Sequence, residues 1–156
     1  MSDFLEIILK IDTTAVVGAN STPTTISLSP ASLVRVCKEL HINDQTYFDQ
    51  LSCVTGIDNG PDAKTMEVIY HLYSIPYNLS LALKIILPRD NPRVPTLSAV
   101  WKSANWLERE TYDMYGIIFE EHPDLRRILM PNDWEGYPLR KDYQEQEKYR
   151  DVQVKY

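Results

Sequence analysis

Apolar and polar positions alternate most clearly in the middle of the chain. From Met66 to Ile75, Val68, Tyr70 and Leu72 alternate with Glu67, Ile69 and His71. From Leu79 to Leu87, Leu79, Leu81, Leu83 and Ile85 share one face. A period of two marks strands, and the short Pro76-Tyr77-Asn78 link predicts a hairpin. Further strands are predicted at Thr25–Leu28 and Cys53–Thr55, with a turn over Gly56–Lys64 around Gly60-Pro61. A loop is predicted over Gly18–Thr25.

Helical spacing appears elsewhere. Leu33, Val36, Cys37 and Leu40 fall on one face. Ser29 is the expected cap of that helix and Pro30 its first residue. Phe4–Ile11 reads as helix or strand, with helix preferred. A short helical piece is predicted after Asn43-Asp44, carrying Tyr47, Phe48 and Leu51. Pro88, Pro92 and Pro95 impose an irregular, extended link. The next helix is expected to be capped at Thr96 or Ser98 and to run to Tyr115. Its stripe is Val100, Ala104, Leu107, Thr111 and Met114, and Gly116 occupies the left-handed cap position.

Beyond Gly116 the pattern changes. Pro123, Pro131 and Pro138 rule out a long helix and leave room for one helical turn near Asp124–Leu129. Yet this stretch holds Ile117, Ile118, Phe119, Leu125, Ile128, Leu129, Met130, Trp134, Tyr137 and Leu139, which a disordered tail would lack. The expected architecture is a two-layer α+β domain with a small mixed sheet over residues 1–116, followed by an extended arm over 117–156. The arm is expected to lie on a partner subunit, because it outruns the free surface of so small a domain.

Composition narrows the chemistry. The chain has 156 residues, of which 44% are hydrophobic and 24% charged, ordinary for a globular protein. Sixteen Lys and Arg against 22 Asp and Glu leave a net charge of −6, which argues against a nucleic-acid partner. Two cysteines and three scattered histidines are too few to ligate an iron–sulfur cluster, and a structural zinc site is nearly as poorly supported. Cys37 and Cys53 read as small core residues, His41 and His71 as structural. The most apolar stretch is too short to cross a membrane and contains Lys84.

Charges concentrate at the end of the last helix. Glu108, Arg109, Glu110 and Asp113 crowd its final turns, where acids oppose the helix dipole. Arg126, Arg127, Arg140 and Lys141 are the nearest counter-charges, and Arg109 and Asp113 are spaced to pair along the helix. A solvated helix end would explain the charges alone. Their mixing with Trp106, Tyr112, Tyr115, Phe119 and Trp134 favours an interface.

The segment ERETYDMYGIIFEEHPDLRRILMPNDWEGYPLRKDY closely resembles the signature of the C-subunit family of NADH-quinone oxidoreductase, the thirty-kilodalton subunit of mitochondrial complex I. The resemblance extends upstream through the hairpin, the link RDNPRVPTLS and the helix start WKSANW. Glu121 departs from it, standing where family members commonly have glycine. The resemblance implies a hydrophilic scaffold subunit in its unfused form, without cofactor of its own. FMN and iron–sulfur clusters would sit in partner subunits, the quinone-site D-subunit would be a neighbour, and the complex would carry electrons from NADH to quinone coupled to proton translocation. Membrane contact would come only through the complex, at the cytoplasmic face if the source is bacterial.

On that reading Glu108, Arg109, Glu110, Asp113, His122, Asp124, Arg126 and Arg127 form a network that sets the arm's departure angle. Trp134, Tyr137, Arg140 and Lys141 belong to the arm, the first three as anchors on the partner. His122 is expected to be structural or capping, the alternative being a proton carrier near the quinone region. The rivals are a homologous subunit of a membrane-bound hydrogenase or ferredoxin-quinone oxidoreductase, and, remotely, a free-standing acid–base enzyme using Glu108, Glu110, Asp113 and His122.

Overall fold

The computed structural model describes residues 3–19 and 21–154; Asn20, inside the expected loop, lies outside them. A five-stranded mixed sheet forms the frame, in the order β1 (Val16–Val17), β2 (Thr24–Leu28), β5 (Leu79–Pro88), β4 (Thr65–Ser74), β3 (Gln50–Asp58). β2 and β5 are parallel, and the other pairs antiparallel. The central hairpin forms in register along its whole length, from Thr65↔Pro88 to Ser74↔Leu79. Met66, Val68, Tyr70 and Leu72 share one buried face with Leu81, Leu83, Ile85 and Leu87. Two-residue alternation thus decides which side of the sheet is core.

Helices α1 (Asp3–Ile11) and α2 (Leu33–Ile42) fill the second layer. Phe4 and Ile8 join Leu33, Val36, Cys37 and Leu40 in the core. α2 begins three residues later than Ser29-Pro30 suggests. The Ser29 N–H and Ser32 hydroxyl donate to Asp12 instead, at 2.9 and 2.5 Å, which keeps 29–32 a turn. Nor does a helical piece follow Asn43. The Phe48 N–H and Thr46 hydroxyl turn back onto Leu40 O, closing α2 where its carbonyls lack partners. Gly56, Ile57 and Asp58, expected in a turn, extend β3 and pair with β4.

The third helix, α3 (Ala104–Tyr115), also starts late. Trp101 enters the core and donates its indole N–H to Phe48 O at 3.1 Å, so residues 96–103 form turns. Gly116 ends the helix at φ +73°, left-handed as expected. The proline link contains a short strand, β6 (Arg93–Pro95), parallel to β7 (Ile118–Glu120). Ile117 and Phe119, read as arm, are fully buried core residues, so the core extends past residue 116. No helical turn forms over Asp124–Leu129. A small hairpin, β8 (Lys148–Tyr149) with β9 (Val152–Gln153), closes the described chain.

α3 lies against edge strand β3. The Thr111 hydroxyl donates to Val54 O and the Ser103 hydroxyl to Leu51 O, which blunts an otherwise open edge. Gly56 permits the approach, since a Cβ there would sit 2.6 Å from the Tyr115 ring. Gly56→Ala should therefore destabilise the chain by about 1–3 kcal/mol through overpacking. A lower urea midpoint at unchanged slope would register it.

Candidate functional site

The charged end of α3 is buried, not solvated. Glu108, Arg109 and Asp113 are 0%, 6% and 0% exposed. Asp113 sits in the last helical turn, and its carboxylate faces the returning chain. Its Oδ2 accepts the backbone N–H groups of Ile128, Leu129 and Met130 at 3.0, 2.7 and 2.9 Å. Its Oδ1 accepts Arg127 at 2.7 Å. Burial alone would raise this carboxyl; the three N–H groups and Arg127 outweigh it and hold the group below its ordinary range. The same bonds explain why residues 124–129 form no helix: their following N–H groups point to Asp113 and not to a preceding carbonyl.

Arg127 acts as a second hub. It donates to Asp113 O, Trp134 O and Gly136 O and lies 5.1 Å from the centre of the Tyr137 ring. Arg140 covers the same ring at 4.8 Å and donates to Tyr115 O at 2.6 Å. Tyr137 packs directly on Gly116, where a Cβ would lie 2.4 Å from the ring. Trp134 donates to the Tyr143 hydroxyl at 3.0 Å. Tyr137 and Arg140 therefore fasten the arm to its own domain, while Trp134 ties the arm internally. Part of the surface under the arm is thus its own domain, while Leu129 and Leu139 on it stay exposed.

The remaining candidates separate. Arg109 does not pair with Asp113. It reaches Asp124 at 3.7 Å, donates to Arg126 O and lies over the Trp106 ring. Arg126 is outside the network; its side chain is 70% exposed and, among the described residues, meets only Asp124. Glu110 is exposed beside a shallow groove it shares with Cys53 and Leu139. Cys53 itself is exposed, contrary to its core assignment, because it follows a bulge in β3. Glu108, Glu110 and Asp113 thus face three different surroundings, not one acid–base cleft.

His122 is enclosed. Its Nδ1 accepts the Asp124 N–H at 3.0 Å, so Nε2 carries the hydrogen toward Asn105 O at 3.1 Å. Glu108 Oε2 lies 3.9 Å from Nε2. Glu108 also accepts the Leu97 N–H at 2.7 Å and shares a 2.5 Å hydrogen bond with the Thr96 hydroxyl. Burial pushes its carboxyl up to about 7, against the lowering effect of those two bonds.

Two anchors escape sequence reasoning. Asp58, at the end of β3, receives Arg89 Nε at 2.8 Å, Arg89 Nη2 at 3.0 Å, and the N–H groups of Gly60 and Lys141. Arg89 also pairs with Asp142 at 2.5 Å, so this cluster fixes the far end of the arm. The Lys141 ammonium contributes only a 3.5 Å contact to Asn59 O. Asp12 is the second, binding α1 to the start of α2. Each is a single acid beside a turn, a pattern too common to single out.

Residues 26–149 match the family described as respiratory-chain NADH dehydrogenase, 30 Kd subunit. The chain is 44% identical over 115 residues to the C-subunit of NADH-quinone oxidoreductase from Chloroherpeton thalassium, covering 73% of this chain and 47% of that protein. It is also 44% identical over 110 residues to the C-subunit from Chlorobium phaeobacteroides, covering 70% and 66%. The chain spans about half the length of several curated relatives it matches. Among solved structures, a trypsin-resistant fragment (1–134) of Nqo5 superposes with a TM-score of 0.62 at 30% identity, covering 78% of this chain and 99% of that one. A chain of the membrane-bound sulfane sulfur reductase, an archaeal respiratory membrane complex, shares the fold at a TM-score of 0.72 and 23% identity, covering 91% and 84%.

Asp113→Asn should cost about 3–5 kcal/mol, because it leaves Arg127 and three N–H groups around a neutral amide. Asp113 titrates lower when folded. Its contribution is therefore present above its ordinary value of 3.8 and lost as the pH falls below that. Urea unfolding across pH 2.5–7 should show the wild-type advantage over Asp113→Asn shrinking only at the acid end.

Proposed function

The chain belongs to the 30 Kd subunit family of respiratory-chain NADH dehydrogenase, and from that premise we propose that it is a scaffold subunit of an NADH-quinone oxidoreductase. The complex passes electrons from NADH through FMN and iron–sulfur clusters to quinone and couples the transfer to proton translocation. Those groups reside in partner subunits, and this chain supplies shape and rigidity. Its neighbours are the quinone-site D-subunit and other hydrophilic subunits, at the cytoplasmic face of the membrane. Among the described residues no helix is long and apolar enough to span a membrane, consistent with attachment through the complex.

One observation carries this reading: the buried charges are spent on holding the arm. Asp113, Arg127 and Asp58 bind backbone groups that would otherwise be free, and so set the path of the chain from Asp124 to Asp142. A fastened arm is a preorganised surface, which lowers the ordering cost of association. Leu129 and Leu139 remain 59% and 53% exposed on it, and Trp134 is half-buried beside them in sequence. Such residues are suited to a partner's apolar surface.

Arg127→Ala should lower the amount of assembled complex in the membrane several-fold. The NADH:quinone turnover of each surviving complex should change less than twofold. Native-gel quantification beside turnover normalised to complex content separates the two. Full assembly with a selective loss of quinone reduction would refute the scaffold role.

A further inference from the structure

Four carboxylates are buried among the described residues: Asp12, Asp58, Glu108 and Asp113. Three are saturated by donors. Asp12 receives the Thr14 N–H and hydroxyl, the Ser29 N–H and the Ser32 hydroxyl. Asp58 and Asp113 each receive an arginine and backbone N–H groups. Glu108 is the exception: among the described residues only the Leu97 N–H and the Thr96 hydroxyl reach it, and none of the described lysines or arginines lies against it. A buried carboxylate this poorly compensated favours its neutral form.

The surroundings accommodate a proton on Glu108. Thr96 Oγ1 lies 2.9 Å from Ser98 Oγ, so this hydroxyl can donate to Ser98 while accepting from a protonated Glu108 Oε2. His122 contributes no free nitrogen, since Nε2–H is taken by Asn105 O and Nδ1 by the Asp124 N–H. The other groups facing Glu108 are Tyr70 on β4 and Cys37 on α2. Both are fully buried, and the Glu108 charge opposes their ionisation. Neither provides a cation. Arg109, next on α3, turns away toward Asp124 and Trp106.

We propose that Glu108 and His122 form a proton-dependent latch at the root of the arm, closed while Glu108 carries a proton and loosened when that proton passes to solvent. Proton loss leaves a buried carboxylate with only the Leu97 N–H and the Thr96 hydroxyl to stabilise its charge, 3.9 Å from His122 Nε2. Admitting water to the carboxylate requires parting α3 from the 96–98 and 122–124 segments. That parting strains the turn from which the arm departs. The position of Glu108 deep in the core, with a carboxyl raised to about 7, puts the transition near neutrality.

The sign follows from linkage. A carboxyl whose folded value is raised binds its proton more tightly in the folded chain. The stability it contributes is therefore present at low pH and is lost as the pH rises from its ordinary value of 4.5 to about 7. This is opposite to Asp113.

Carbon-13 NMR of the side-chain carboxyls of the full chain tests the latch, with Glu108 assigned by its absence in Glu108→Gln. Amide hydrogen exchange at Asp124, corrected for the intrinsic pH dependence, is followed in parallel. The Glu108 resonance should titrate with a midpoint near 7. Protection of the Asp124 amide should fall by up to about tenfold per pH unit as the pH rises from the ordinary carboxyl value of 4.5 to that midpoint, level off above it, and stay flat in Glu108→Gln. A Glu108 midpoint below about 5, close to the ordinary carboxyl range, or the same loss of protection in Glu108→Gln, overturns the proposal. If Glu108→Gln does not fold, the wild-type midpoint decides, with Glu108 assigned through its bonded neighbours.

Discussion

The arm depends on one carboxylate, that of Asp113. An acid in the last turn of a helix faces the negative end of the helix dipole and is unfavourable there by itself. Here the cost is offset by what the acid collects: three successive N–H groups from residues 128–130 and the guanidinium of Arg127. Those N–H groups belong to a proline-punctuated segment that cannot satisfy them in a helix. Helix and arm thus each remedy the other's deficiency. Once this contact forms, Arg127 reaches Trp134 O and Gly136 O, and Tyr137 arrives over Gly116.

The same device recurs at the other end. Asp58 closes β3, collects Arg89 and the Lys141 N–H, and so fixes the far end of the arm. Asp12 does so again between α1 and α2. Buried acids act throughout as collection points for backbone donors that the irregular segments leave unpaired, each bond being far more valuable buried than exposed. Glu108 departs from this scheme, which is why its chemistry differs from that of the other three. A fold mounted in this way spends its charged residues on geometry, in keeping with membership of a family of complex subunits.

Sequence reasoning recovers what is local or periodic. The hairpin, the α2 stripe and the Gly116 cap all follow from alternation, helical spacing and the conformational freedom of glycine. It loses helix starts, because Ser29 and Thr96 look like caps but give their donors to distant acids, Asp12 and Glu108. It predicts a helical piece after Asn43-Asp44 that carries Tyr47, Phe48 and Leu51, though Thr46 and Phe48 fold back onto Leu40 and Leu51 joins β3. It also places Cys53 in the core, since a bulge that shifts strand register leaves no mark in composition. Of the charged candidates, Asp113 and Arg127 prove to be partners, while Arg126 and Glu110 face solvent. Neighbours in sequence with equal charge are told apart only by which way the backbone turns.

The sequence by itself determined the secondary-structure periods, the α+β class and, through one long motif of mixed chemistry, the family. These depend on residues close in the chain or on a pattern carried whole. Only the tertiary structure decided where the apolar arm lies. The area argument looks to a partner for its surface; Asp113, Asp58 and the bare Cα of Gly116 fasten part of it to its own domain. Those contacts join residues separated by up to 83 positions, and hydrogen bonds at that separation follow from the path of the whole chain, which no local pattern encodes.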